Sequence, residues 1–195
     1  MTNPLIRTGQ QFLLHGADFD AADHYAFTVE AVEPDLVLRF KMVGCEDDAV
    51  VSVPSEALQN APGVIKLSQG SFTSLLWNEA AKSRDYGTPA ERDPNTVPSF
   101  MLTREQYRAA SKGAVTLQPL WDFPDMDTFS VSERQTLSVD VHGQPTEVNV
   151  LVLQGTESTA RLTVLDDPQW PLILSREECD GGNVEKISFT ALAEA

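Results

Sequence analysis

The residues with the clearest capacity for chemistry lie in two short stretches. The first, HGADFDAADHY, gathers His15, Asp18, Asp20, Asp23 and His24. Imidazoles and carboxylates this close in sequence can hold a divalent metal. Their spacing matches neither an EF-hand loop nor a zinc motif, and a polar loop explains them equally well, so no metal site is expected. The second stretch, WDFPDMD, sets Asp122, Asp125 and Asp127 among Trp121 and Phe123. Two carboxylates whose pKa values burial drives apart can act as an acid–base pair, and rings beside carboxylates also suit the edge of a sugar. Pro and Asp are equally the residues of turns, with Trp121 and Phe123 then anchoring the turn to a core.

The signatures of the large enzyme classes do not occur. There is no Gly-rich phosphate loop, no GxSxG, no HExxH and no CxxC. With three histidines in the chain, choices for a general base are few. No catalytic residue is assigned and no cofactor is expected.

Binding has more to work with. Asn78 to Ser99 reads NEAAKSRDYGTPAERDPNTVPS, interrupted by Pro89, Pro94 and Pro98 and nearly free of apolar residues. A long stretch without periodicity predicts a loop, and loops of this length are functional or solvated excursions. It carries Arg84, Tyr86 and Arg92 and follows directly on Trp77. Arginine is enriched at interfaces, and cations are scarce here, with 14 Lys and Arg against 29 Asp and Glu. Trp77, Arg84, Tyr86, Arg92 and Trp121 are therefore the candidate binding residues, for another protein or an apolar ligand.

The net charge of −15 is spread along the chain without an acidic tail. Such a field repels phosphate backbones and anionic lipid, which argues against nucleic-acid and membrane-surface partners. It serves solubility, and it also suits an inhibitor or immunity-type protein that caps a basic partner. Cys45 and Cys179 stand far apart with no metal-ligand spacing, the pattern of two idle thiols in a reducing compartment. Met1 to Gly16 has no apolar secretory core and no run has membrane-spanning length. A cytoplasmic location without membrane insertion is the expectation.

The elements that must position these residues read as strands. Tyr25, Phe27 and Val29, then Leu36, Leu38 and Phe40, alternate with polar positions on either side of Glu33-Pro34-Asp35, which predicts a hairpin with one core face. Ala49–Val53 and Val64–Leu67 predict further strands, and Phe72 to Trp77 is too short to type. Phe129–Val141 and Val148–Leu153 predict a long hairpin across His142-Gly143-Gln144-Pro145. Ala160–Leu165, Pro171–Leu174 and Val184–Phe189 follow, and Asp166–Pro171 is a rigid turn with Trp170 as a buried plug. One or two short helices are expected. Pro54–Ala61 has proline in its first turn. Thr103–Ser111 opens with a capping box, Thr103 to Gln106, and ends at Lys112-Gly113 with a left-handed cap. One domain over residues 1–195 accommodates all of this. LRFKMVG–CEDDAVVSV faintly echoes NVLVLQG–TESTARLTV, the pattern that a duplicated hairpin or simple convergence produces.

The ending LTVLDDPQWPLIL, preceded by the capped helix of FMLTREQYRAASKG, resembles uncharacterised bacterial domains with a curved antiparallel sheet, akin to the lipoprotein-carrier half-barrels. The resemblance covers the second half of the chain and implies fold, since no catalytic motif travels with it. The expected fold is mainly β, a β-rich α+β architecture with a curved antiparallel sheet, half-barrel or barrel-like, and one or two short helices. The expected function is non-enzymatic binding or protein interaction. The alternatives are a hydrolase using carboxylates near Trp121 or the His15–His24 loop, and an acidic inhibitor.

Overall fold

The computed structural model of the chain describes residues 5–15, 24–44, 46, 48–68, 71–78, 83–117, 126–158, 160–177 and 184–189. Strand accounts for 61% and helix for 10%, so the fold is mainly β, as the alternation predicts. The order is β1 (Gln11–His15), β2 (His24–Ala31), β3 (Leu36–Met42), β4 (Ala49–Val53), α1 (Ser55–Asn60), β5 (Gly63–Ser68), β6 (Ser71–Asn78), β7 (Ser83–Gly87) and β8 (Thr96–Pro98). Then come α2 (Arg104–Lys112), β9 (Ala114–Leu117), β10 (Asp127–Val141), β11 (Gln144–Gly155), β12 (Arg161–Leu165), β13 (Ile173–Glu177) and β14 (Val184–Ser188).

Ten strands form one sheet in the order β4-β3-β2-β1-β14-β13-β12-β11-β10-β9, antiparallel throughout and not closed. The beginning and the end of the chain therefore share a sheet, sealed where β1 pairs with β14. Between them, β7-β6-β5-β8 make a second, four-stranded sheet. The large sheet curls. Three strands separate β10 from β14, yet His142 at the tip of the β10–β11 hairpin donates its backbone N–H to Phe189 O at 2.9 Å. The tip is a two-residue loop with His142 at φ 54° and Gly143 at φ 78°, the left-handed pair that matches strand twist. Gln144 and Pro145, expected in the turn, already belong to β11.

Two cores lie on opposite faces of this sheet. Val148 and Val150 of β11 join the larger, while Leu151 and Leu153 face the smaller beneath α2. That is why VLVL is buried without alternation: a strand covered on both faces reads as a continuous apolar run. In the larger core Phe12 stacks on Phe27 at 4.9 Å between ring centres and meets Phe100 edge-on at 5.5 Å. The two echoing stretches form β3–β4 and β11–β12, both in this one sheet.

α1 and α2 fall where expected. The capping box is complete: Thr103 Oγ1 accepts from Gln106 N at 3.1 Å, and Gln106 Oε1 accepts from Thr103 N at 2.8 Å. The C-terminus differs, since Gly113 lies at φ 158°, ψ −62° and not in the left-handed helical region. Its N–H closes the end on Ala110 O at 3.1 Å. Thr103→Ala should cost about 1 kcal/mol, the usual value of a side-chain cap, read as a lower urea midpoint with unchanged slope.

The segment expected as a loop, 78–99, is a correction. It contains β7 and β8, and β8 is buried along its whole length. β8 runs parallel to β5, pairing Val97 with Val64. Ser52 N donates to Glu91 O at 3.0 Å, which fastens the segment to the β4 edge. Asp93 folds the approach to β8, accepting from Asn95 N at 2.9 Å. The strand β1 was not anticipated either, because QFLLH is too short to show a period. Among the described residues no helix is long and apolar enough to cross a membrane.

Candidate functional site: an apolar cleft beside the small sheet

The best-formed cleft opens between β5 and β6 of the small sheet, the start of α2, and β9 and β13 of the large one. It has about 70 Å³ of free volume, enough for roughly five waters at ~10–15 Å³ each. That is the size of one aromatic or branched aliphatic group. Val64, Leu75, Trp77, Met101, Leu117 and Ile173 supply apolar walls, and Ser99, Gln106 and Arg176 the polar atoms. No Asp, Glu, His or Cys is among the described lining residues.

Each wall has a local cause. Gly63 sits where β5 crosses closest to β6; a Cβ there would lie 2.4 Å from Leu75 O, so only glycine lets the strands close. Gln106 is oriented by the capping box that it completes. Residues 100–102 are tied to β13 by bonds from Ile173 N to Phe100 O at 2.8 Å and from Leu102 N to Pro171 O at 3.0 Å. Arg176 stands opposite Leu162 on the face toward the smaller core. It is 8% exposed, and its guanidinium donates to Ser99 O. A buried guanidinium at an apolar wall is a fixed, always-charged donor fork.

One of the five candidate binding residues lines the cleft, and two more are register partners on the neighbouring strand. Trp77 lines the cleft. Arg84 holds the register position opposite Trp77, and Tyr86 the one opposite Leu75, so all of these positions belong to one face of the β6–β7 hairpin. Tyr86 is 73% exposed, the most exposed aromatic among the described residues. β7 is the edge of its sheet. Arg92 is elsewhere and engaged. Its Nε donates to Asp35 Oδ2 at 2.7 Å, with Glu56 at 3.7 Å, and it latches the 91–93 segment to the start of β3. The Arg92 guanidinium, against the opposing effect of burial and with help from Ser52, holds the Asp35 carboxyl below its usual range. Trp121 lies outside the described residues, as do Asp122 and Asp125.

The hydrolase alternative gains little. Asp127, the described carboxylate of the WDFPDMD stretch, is buried and accepts bonds from Thr128 N at 2.6 Å, Ser158 N at 2.9 Å, Glu157 N at 3.1 Å and the Ser158 hydroxyl. Burial alone would raise its pKa, and these donors outweigh it and bring it below the ordinary value. It is a structural clasp. In the other stretch, His15 Nδ1 lies 3.1 Å from His24 Nδ1, and His15 Nε2 lies 2.6 Å from Ser188 Oγ. Burial first, then the charges of His24 and Lys186, hold the His15 imidazole below its ordinary pKa. Asp18, Asp20 and Asp23 lie outside the described residues, as do Cys45 and Cys179. Among the described residues no three His, Cys, Asp or Glu side chains cluster as metal ligands do.

A second, wider depression of about 540 Å³ runs between Ile6–Thr8 and the Asp166–Trp170 turn. Two of its three carboxylates, Asp166 and Asp167, are taken up locally. Asp167 accepts from Gln169 N at 2.8 Å, and Asp166 accepts from the Tyr107 hydroxyl at 2.5 Å. Burial, and then that carboxylate, push the Tyr107 phenol well above its ordinary pKa. Arg176 was invisible to sequence reasoning, because LSRE on a strand reads as a solvated charge.

Comparison of the chain with protein-family models, with curated proteins and with solved structures returns no match.

Proposed function

We propose that this protein is a non-enzymatic binding domain whose cleft receives one apolar anchor group of a partner polypeptide. The observation that carries this reading is the lining: apolar walls, one buried guanidinium, and no carboxylate, imidazole or thiol among the described lining residues. The described lining residues can hold a group, and none of them is an ordinary general acid or base. Trp77 on the wall and the exposed Tyr86, opposite Leu75 on β7, are the aromatic types that dominate interface energetics. Arg176 favours an anchor with a neighbouring anionic group, such as a carboxylate. The volume suits a side chain better than an extended lipid. An open antiparallel sheet is compatible with the half-barrel likeness of the second half of the chain, while the size of the cleft speaks for a protein partner.

Anilinonaphthalene sulfonate, an aromatic body with one anionic group, is a suitable probe. Its fluorescence should rise saturably with the folded chain at one equivalent. Trp77→Ala should weaken that binding about tenfold, the 1–2 kcal/mol scale of a single interface aromatic. Arg92→Gln, outside the cleft, should leave it unchanged. Equal binding by Trp77→Ala and the parent chain would refute the proposed site.

A further inference from the structure

The geometry points to His15 and His24 as a two-nitrogen chelate for a borderline transition-metal ion, of the class of Zn(II), Ni(II) or Cu(II). The two residues are direct register partners on β1 and β2. They stand on the face opposite Phe12 and Leu14, which point into the larger core, so their rings lie on the outer surface of the sheet, half-buried. Their Nδ1 atoms are 3.1 Å apart. Two metal–nitrogen bonds of about 2.1 Å, opened between a right angle and a tetrahedral one, put their nitrogens roughly 3.0–3.4 Å apart.

The two rings do not meet head-on. A head-on N–H···N contact of this length would hold the ring centres roughly 5.4 Å apart. The centres are 4.3 Å apart, with the planes at 65°. A chelate with bonds of about 2.1 Å would hold the centres about 4.8 Å apart, closer to the observed spacing than the head-on contact is. Ser188 completes the arrangement from β14, its Oγ 2.6 Å from His15 Nε2. With Nδ1 on a metal, Nε2 carries the proton and donates to Ser188, the outer contact that fixes ring orientation at metal-bound histidines. Imidazole donors select zinc, nickel and copper over magnesium and calcium, which need oxygen ligands. The overall charge of −15 attracts cations to the molecule, and Lys186, opposite His15 on β14, opposes them locally. Two protein ligands leave the other positions to water, so the ion is exchangeable.

The test is calorimetric titration of the full chain, carrying Cys45→Ser and Cys179→Ser, with ZnCl2 and then with CuCl2. One equivalent of each should bind, copper more tightly than zinc, with no heat from MgCl2. His15→Gln and His24→Gln should each weaken binding by about tenfold or more. His142→Asn, which removes the remaining histidine and tolerates the left-handed turn position, should change nothing. Lys186→Gln keeps both ligands and should tighten binding, so the result does not depend on a histidine variant that folds poorly. No binding by the folded parent chain, or binding that survives both glutamine variants, overturns the inference. In that case the pair is a cross-strand hydrogen bond only.

Discussion

Trp170→Ala is expected to lower the unfolding free energy by about 3–5 kcal/mol, the usual cost of emptying a buried aromatic site. Trp170 is 5% exposed and belongs to the larger core with Leu165 and Leu172. The turn that delivers it is built to do so. Asp167 Oδ1 accepts from both Gln169 N and Trp170 N, at 2.8 and 3.1 Å, which sets the chain direction into the core. The Arg104 guanidinium lies 5.9 Å from the ring centre on the outer side. The same turn is held from the smaller core by the bond from Tyr107 to Asp166. Loss of the indole therefore loosens a junction between both cores. Urea unfolding of the variant checks it, and a loss below 1 kcal/mol would show that Trp170 is an accessible surface group.

Asp127→Asn should cost about 3 kcal/mol near neutral pH, because four donors lose a charged acceptor and an amide presents its own N–H groups to them. The clasp is long-range. Asp127 opens β10, and its donors at Glu157 and Ser158 lie in the β11–β12 connection. Gly155 makes room for it, since a Cβ there would lie 2.5 Å from Asp127 Oδ2. The sign of the pH effect follows from the depressed pKa. The folded state holds the carboxylate ionised to lower pH than the unfolded chain does, so the stabilisation is complete above the unfolded value of 3.8. It is lost as pH falls through the folded value. The gap in unfolding free energy between parent and Asn variant should be constant near neutral pH and narrow as pH falls below 3.8. A gap that stays constant below that value would contradict the ionised clasp.

Legibility in the sequence followed the length and one-sidedness of each signal. β2 and β3 were readable because one face is core and the other wet, so Phe27 and Leu38 alternate with polar residues. α2 was readable because its capping box is local. β11 and β12 were recognised as strands, but not as the partition between two cores. β1 has too few residues to show a period. SRDYG of β7 has no apolar alternation, and TVP of β8 carries a proline that its position at the sheet edge tolerates. The site was half visible. Aromatic and arginine enrichment led to Trp77 and Tyr86, which the β6–β7 register brings onto one face. Arg92 had the same signal and is an internal latch. Arg176 and the Asp127 clasp depend on partners dozens of residues away, such as Ser99 and Ser158, and no local pattern announces them.

The most direct test of the binding cleft is an NMR titration of the 15N-labelled chain with anilinonaphthalene sulfonate. Shifts are predicted at the Trp77 indole N–H, the Gln106 side-chain amide and the backbone of Ser99 and Met101, with the Trp170 indole unmoved. Shifts confined to Thr8, Gln169 and Trp170, or no saturable shift at Trp77, would contradict the account.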